Sequence, residues 1–505
     1  MKPSSPPSAS ESEKLSSFFL ESKSRVSVRM ALRAADGFGD GPRIVRKSLI
    51  LRSLFRWLTL SFIAVHICVG AADSDRIVAL ISVDGLAHYY FEDPNCEMPT
   101  IRELAAKGAR AKMMKCSTPT VTWPNHTTLV TGVHAGKHGV IGNSYFDREK
   151  NEVIKLIPDP FFNKDEIVKV PTIYDVAKVA GLKTAAIIWP ASRGAKTLDW
   201  TVPDCFSNSL WRIHGTSSLL AEFQQAGIPY EKQEEWCRTG KDEDRDRMYV
   251  QMFNHVVRTH RPHLALLHLV RVDHAEHAKG PQSPEAYAAV KFADDRVREV
   301  WQELQNSFPG KATLIVAADH GFFNYQQSIQ PNVLLRQQGL LTADDKQITG
   351  GQVRAHEQGG VCYLSMLDRA NRGALTKRVV ELFREVEGVH EIVLPGDFAK
   401  HGLPDPEQNP GMGDVMLLCK EGYIFSNTAT GDSVVTPKSE AVRGAHGYDA
   451  NEPRLHANFV AWGAGIRPGK VVERIENIDV APTIASLLGL TIKADGKVLN
   501  ELLLK

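Results

Sequence analysis

The chain has 505 residues, 43% apolar and 24% charged, which excludes disordered and fibrous classes and is enough for a large core with a subdomain or insertion. Its net charge of +1 conceals an asymmetry, because residues 1–72 hold 11 Lys or Arg against 5 Asp or Glu. The rest of the chain is net acidic, about −5, which excludes a nucleic-acid-binding surface that works through backbone phosphates.

Residues 1–45 are polar and Ser/Pro-rich at the start, so they are expected to be disordered, or to lie upstream of the true start if Met30 is used. Residues 46–72 read as a signal-peptide-like segment. Arg46, Lys47, Arg52 and Arg56 precede the apolar run Leu58–Gly70, and the small residues Ala71 and Ala72 follow it. This order predicts export, to the periplasm, cell surface or medium, with cleavage near Gly70–Asp73. The run is short for a membrane span and contains His66, so membrane attachment is expected only if the segment stays uncleaved as an anchor. A lipoprotein reading on Cys68 lacks the small residues such a site needs before it. Downstream stand Cys96, Cys116, Cys205, Cys237, Cys362 and Cys419. An even number permits disulfides, no CxxC pair occurs, and the apolar runs around Cys362 and Cys419 favour buried thiols.

From residue 73 strands and helices alternate. Ile77–Val83 reads as a strand, Thr100–Gly108 and Thr172–Ala180 as helices, Thr184–Trp189 as a strand, Asp246–Arg258 as a helix and Leu264–Val272 as a strand. Pro284–Ser307 follows as a long amphipathic helix and Thr313–Ala318 as a strand. Strands that are apolar throughout, separated by helices, predict an α/β fold with a mainly parallel central sheet covered by helices on both faces. Residues 323–442 break the pattern and read as a small α/β insertion, dividing the catalytic core into 73–322 and 443–505. The second part holds a strand, Asn458–Trp462, and a helix, Ile478–Leu488, stopped by Gly489.

The residues that carry chemistry lie beside these strands. Asp84 follows IVALISV, Asp273 and His277 follow LALLHLVRV, Asp319 and His320 follow TLIVAA, and His446 stands in RGAHGYD. Ligands in parallel sheets gather beyond the carboxyl ends of the strands, so the three aspartates are expected on one edge. Thr122, in the turn STPTVTWPNH, supplies a hydroxyl. Three carboxylates, three imidazoles and one hydroxyl suit a two-metal phosphoryl-transfer site, and a mixed His/carboxylate set suits zinc better than magnesium. Taken singly, each residue has a plainer reading, such as a helix N-cap for Asp84 or a loop residue for His446.

The order Asp, Thr-x-Pro-Asn-His, Asp-x-x-x-His, Asp-His-Gly, His-Gly-Tyr-Asp resembles the type I phosphodiesterase/nucleotide pyrophosphatase family of the alkaline phosphatase superfamily, over roughly residues 76–325 and 440–490. The resemblance implies two zinc ions, one on Asp84, Thr122, Asp319 and His320 and the other on Asp273, His277 and His446. It also implies hydrolysis of a small phosphodiester or nucleotide substrate through a phosphothreonine on Thr122. Asn143, in HGVIGNSYFD, aligns with the family's donor to a phosphoryl oxygen, against its plainer reading as a turn asparagine. Trp123, where phenylalanine is usual, and Trp189 resemble positions at the substrate pocket, with core packing as the alternative. Glu276 stands where the family commonly has glycine, and His274 offers a competing imidazole beside Asp273.

Other functions fit less well. The frame after Cys116 has its proline one place late for a sulfatase and no arginine following. A phosphomonoesterase would want a cation beside Thr122, whose neighbours are Val121 and Trp123. A phosphonate hydrolase would share the whole site, and a non-catalytic zinc protein would have no use for Thr122.

Overall fold

The computed structural model describes residues 75–504 except 158, 160, 161 and 346. The expected disordered segment, the signal-like segment and its cleavage site lie outside the described residues. Among the described residues no helix is long and apolar enough to cross a membrane, and all six cysteines there are free thiols.

The main sheet has eight strands: β1 (Ile77–Val83), β2 (Ala109–Lys115), β3 (Thr184–Trp189), β4 (Trp200–Pro203), β5 (Leu264–Leu269), β6 (Ala312–Ala317), β7 (Ala457–Gly463) and β8 (Lys470–Glu476). Their spatial order is β8-β2-β7-β6-β1-β5-β3-β4. Only β7 runs against its neighbours, β2 and β6, and every other pairing in the sheet is parallel. The α/β fold with a mainly parallel sheet is therefore present, and β1, β3, β5 and β6 are buried along their whole length, as apolar runs covered on both faces must be.

Helices cover the sheet in two groups. Pro99–Lys107 and Asp242–His260 both pack on Pro284–Ser307, and Thr122–Thr131 (α1), Ile173–Val179 and Val480–Leu487 form the other group. Two expected boundaries shift around one residue. Asp246, expected to open its helix, lies a turn inside it, and its carboxylate accepts the backbone N–H groups of Val270 (3.0 Å) and Arg271 (3.1 Å). That cap ends β5 at Leu269 and starts the helix Arg271–Lys279 (α2), where the sequence suggests strand as far as Val272.

Between β6 and β7 the chain builds a four-stranded antiparallel sheet from Val353–Glu357, Val361–Met366, Val389–Val393 and Val415–Cys419. A separate three-stranded sheet joins Phe323–Ile329, Gly422–Phe425 and Arg443–Ala445. This region has its own apolar cluster, including Ile329, Leu335, Leu364, Val379, Phe383 and Leu417.

Candidate metal centre and nucleophile

The register of the three central strands brings the acidic residues together. Ser82 of β1 lies opposite His268 of β5 and Ala317 of β6, so the three strands end at the same level. Asp84 follows the end of β1 and Asp319 the end of β6, and Gly85 N–H donates to Asp319 Oδ1 at 3.1 Å. Gly85 has φ +78°, and a Cβ there would stand 2.9 Å from both Glu276 Oε2 and the Phe322 ring. A glycine is thus what lets β1, β6 and α2 converge. On α2, Asp273 and His277 share a face by their four-residue spacing, with Nε2 3.4 Å from Oδ1.

The histidines arrive with fixed tautomers. His446 Nδ1 donates to the Thr120 carbonyl at 3.0 Å, and His277 Nδ1 to the Gly444 carbonyl at 3.2 Å. Each partner can only accept, so each ring carries a proton on Nδ1, and His446, which burial keeps neutral, has its lone pair on Nε2. The two Nε2 atoms face each other at 3.0 Å, a contact that needs a proton or a metal cation between them, since two lone pairs there would repel. His320, fully buried, stacks on His446 with centroids 3.8 Å apart and planes at 15°. Its Nε2 lies 3.1 Å from Asp319 Oδ2 and 3.4 Å from Asp84 Oδ1.

These residues fit a metal. Asp84 Oδ1, Asp273 Oδ1, Asp319 Oδ2 and both His320 nitrogens are buried and have no hydrogen-bond partner, a costly state for polar atoms that a cation relieves. Ligand atoms of Asp84, Asp319 and His320 lie within 4.8 Å of one another, as do those of Asp273, His320 and His446. Burial first, and then the Asp273 carboxylate, push Asp84 well above the usual carboxylate range; burial and then Asp84 do the same to Asp319. Asp273 goes the other way: burial acts to raise it, but His277 and then His446 hold it low. Burial, followed by neighbouring His446, keeps His320 far below the ordinary imidazole value, and burial brings His446 down to about 4. Burial acts to lower His277 but the Asp273 carboxylate raises it, whereas His320 and His446 are neutral imidazoles, and a divalent cation in place of a proton between His277 and His446 would balance the buried carboxylates.

Thr122 is the first residue of α1, whose ten residues are all buried. A threonine-rich segment can be buried as helix because Thr127, Thr128 and Thr131 donate their hydroxyls to carbonyls four residues back. Asn125 anchors the preceding turn, its amide donating to the carbonyls of Ser117, Pro119 and Val121. His126 ties this helix start to the carboxylates: its Nδ1 donates to the Thr122 carbonyl at 2.8 Å and lies 3.5 Å from Asp319 Oδ2. Asn143 Oδ1 accepts the Trp123 N–H at 2.9 Å, which fixes the side chain beside Thr122 and leaves its NH2 as the free donor.

Other residues behave differently from their sequence alternatives. His274 Nδ1 pairs with Asp242 at 2.9 Å, so His277 is the imidazole that joins Asp273 and His446. Trp123 and Trp189 are enclosed, at 1% and 0% exposure, and Trp189 meets the edge of His126 inside the core. Neither presents an open ring face for stacking.

Two contributors, His268 and Tyr90, escape a motif reading. His268, an imidazole inside the apolar run of β5, sits 2.9 Å from Asp84 Oδ2 and 3.1 Å from the Ile188 carbonyl. A lone histidine in such a run was its only signal. Glu276 is fully buried behind Asp273 and accepts from the Tyr90 hydroxyl at 2.5 Å, with burial the main influence pushing it well above the usual range.

Residues 78–449 match the family described as type I phosphodiesterase / nucleotide pyrophosphatase. The chain is 25% identical over 417 residues to human ectonucleotide pyrophosphatase/phosphodiesterase family member 1, covering 82% of this chain and 40% of that protein. It is 25% identical over 426 residues to the venom phosphodiesterase of Naja atra, covering 84% and 45%. The chain thus spans less than half the length of these relatives. A structure of murine ectonucleotide pyrophosphatase/phosphodiesterase 5, an inactive form in complex with AMP, superposes with a TM-score of 0.63 at 18% identity, covering 85% of this chain and all of that one. The family match spans most of the chain and contains the clustered aspartates, histidines and Thr122: this protein belongs to the type I phosphodiesterase/nucleotide pyrophosphatase family.

Proposed function

We propose that the chain hydrolyses phosphodiester or pyrophosphate bonds, with Thr122 as nucleophile and two zinc ions held by Asp84, Thr122, Asp319 and His320 and by Asp273, His277 and His446. The observation that supports this best is the group of buried, unpartnered carboxylate and imidazole atoms at the start of the helix that begins with Thr122. Zinc bound there would supply positive charge to the phosphoryl group and favour the ionised hydroxyl of the threonine. Thr122 Oγ1 forms a bond to phosphorus as the bond to the leaving oxygen breaks, giving a phosphothreonine; water then cleaves it and restores the hydroxyl. The Asn143 NH2 donates to a non-bridging oxygen, where charge builds in the transition state. The N-terminus of α1 favours the same negative charge.

The charge balance supports a diester over a monoester. Among the described residues, the ion pairs of Asp84, Asp273 and Asp319 are all with histidines, so lysine and arginine take no part in the charge of this cluster, which favours the less charged diester. A nucleotide substrate is supported by the names of the relatives and by AMP in the murine structure. Trp123 and Trp189 then support the site from behind rather than stacking on the substrate. Export follows from the signal-like residues 46–72 and agrees with ecto- and venom relatives. The test is a comparison of kcat/KM for a phosphodiester, a phosphomonoester and a phosphonate on the zinc-loaded protein. The diester should be turned over with the highest value; a higher value for either other substrate overturns this assignment.

A further inference from the structure

Away from this centre, Glu222, His255 and His260 bring three potential ligand atoms within 4.8 Å of one another. Glu222 lies on the helix Ser217–Gln225, and both histidines lie near the end of Asp242–His260. Five residues along a helix correspond to roughly 140° of rotation, so the two imidazoles do not share a face through helical spacing. They meet because the second helix brings Glu222 between them. His255 Nε2 lies 2.9 Å and His260 Nε2 2.8 Å from the same atom, Glu222 Oε2.

Both rings are held in place. His260 stacks on Trp200, with centroids 4.4 Å apart and planes at 19°, and His255 meets Phe223 edge-on at 5.6 Å. Burial acts to raise the Glu222 carboxyl, but the hydrogen bonds from His255 and His260 hold it low. The three side chains are 16%, 17% and 27% exposed, which leaves one side open to water.

We propose that Glu222, His255 and His260 form a further divalent-cation site, separate from the catalytic centre, with the donor chemistry of zinc. Two imidazole nitrogens and one carboxylate oxygen with an open fourth position match a three-ligand zinc site completed by water. With Zn–N and Zn–O lengths near 2.0 Å, a tetrahedral edge is about 3.3 Å. Each Nε2–Oε2 separation therefore opens by about half an ångström, a small rotation for the glutamate with its partial exposure. The ion joins two helices that otherwise meet here through two His–Glu ion pairs at the edge of solvent.

The test counts zinc by elemental analysis in full-length protein equilibrated with zinc and then freed of excess, comparing wild type with Glu222→Gln and His260→Gln. Each variant is expected to hold one equivalent less, with unchanged diester hydrolysis. Equal zinc in wild type and variants overturns the proposal. Should His260→Gln not fold, Glu222→Gln decides, together with cobalt-loaded protein, in which the wild-type minus variant spectrum should show visible d–d absorption. A flat difference spectrum counts against the site. Because the readout is a difference between proteins that share one catalytic centre, it does not depend on how many ions that centre holds.

Discussion

Replacing Thr122 by alanine separates a nucleophile from a structural residue. The side chain is 7% exposed. Its truncation removes one buried methyl, worth about 0.8 kcal/mol, while alanine at a helical position returns up to about 0.7 kcal/mol. The net change in stability should stay below about 1 kcal/mol, a shift in Tm of no more than about 2 °C for a chain this long. Six other ligands remain, so zinc content should not fall. Turnover is another matter, because loss of a covalent nucleophile typically lowers kcat by about 10^4- to 10^6-fold, or about 5–8 kcal/mol of transition-state stabilisation. The assay is steady-state hydrolysis of a chromogenic diester at saturating zinc, with acid-quenched single turnovers to trap phosphothreonine in the wild type. Thr122→Ser should keep partial activity. An alanine variant within about tenfold of wild type, or one that loses an equivalent of zinc, refutes the nucleophile assignment.

Asn143→Ala should lower kcat by about 10^2-fold with a smaller change in KM, as loss of one preorganised donor does; an effect confined to KM would assign Asn143 to ground-state binding. Gly447 has φ +84°, and a Cβ there would stand 1.7 Å from the Gln358 carbonyl oxygen. Gly447→Ala should therefore cost about 3 kcal/mol or more and loosen zinc through the adjacent His446, which denaturation and elemental analysis would show. Chelation of the wild type should lower its unfolding midpoint as well as abolish activity, since it strands buried carboxylates, and zinc should restore both; a full-strength protein with less than one zinc contradicts the bimetallic reading. Burial brings the His356 imidazole down to about 4. Its folded value is below its unfolded one, so its contribution to stability is complete above about pH 6.5 and is lost as pH falls toward 4. His356→Gln should thus flatten the pH dependence of stability in that window by about 1.4 kcal/mol per pH unit relative to wild type, measured by denaturant titration.

Much of the site was legible because it lies where regular elements end. Apolar runs of strand length mark β1 and β6, so the residues just beyond them, Asp84 and Asp319, fall at one sheet edge without further information. The four-residue spacing likewise chooses His277 over His274, which the pairing of His274 with Asp242 accounts for. What stayed hidden depends on contacts distant in sequence. The cap that Asp246 places on α2 is set by tertiary packing, so no local pattern ends β5 at Leu269. The reversed direction of β7 follows from the route the chain takes back from its insertion, and the period of an apolar run is the same in either direction. Indole size and polarity also cannot tell a pocket wall from a core residue, which is why Trp189 reads either way until its burial is seen.

The route back from the insertion has a consequence for the metal centre. His446 follows Arg443–Ala445, a strand that pairs with Phe323–Ile329 and therefore belongs to the smaller sheets rather than to the main one. Its ring is nonetheless tied to Thr120, in the turn before α1, and meets His277 on α2. A cation on Asp273, His277 and His446 would then connect the insertion to the core as well as polarise substrate. Its binding free energy would be shared between catalysis and the docking of residues 323–445, so weakening His446 should loosen that docking and the chemistry together.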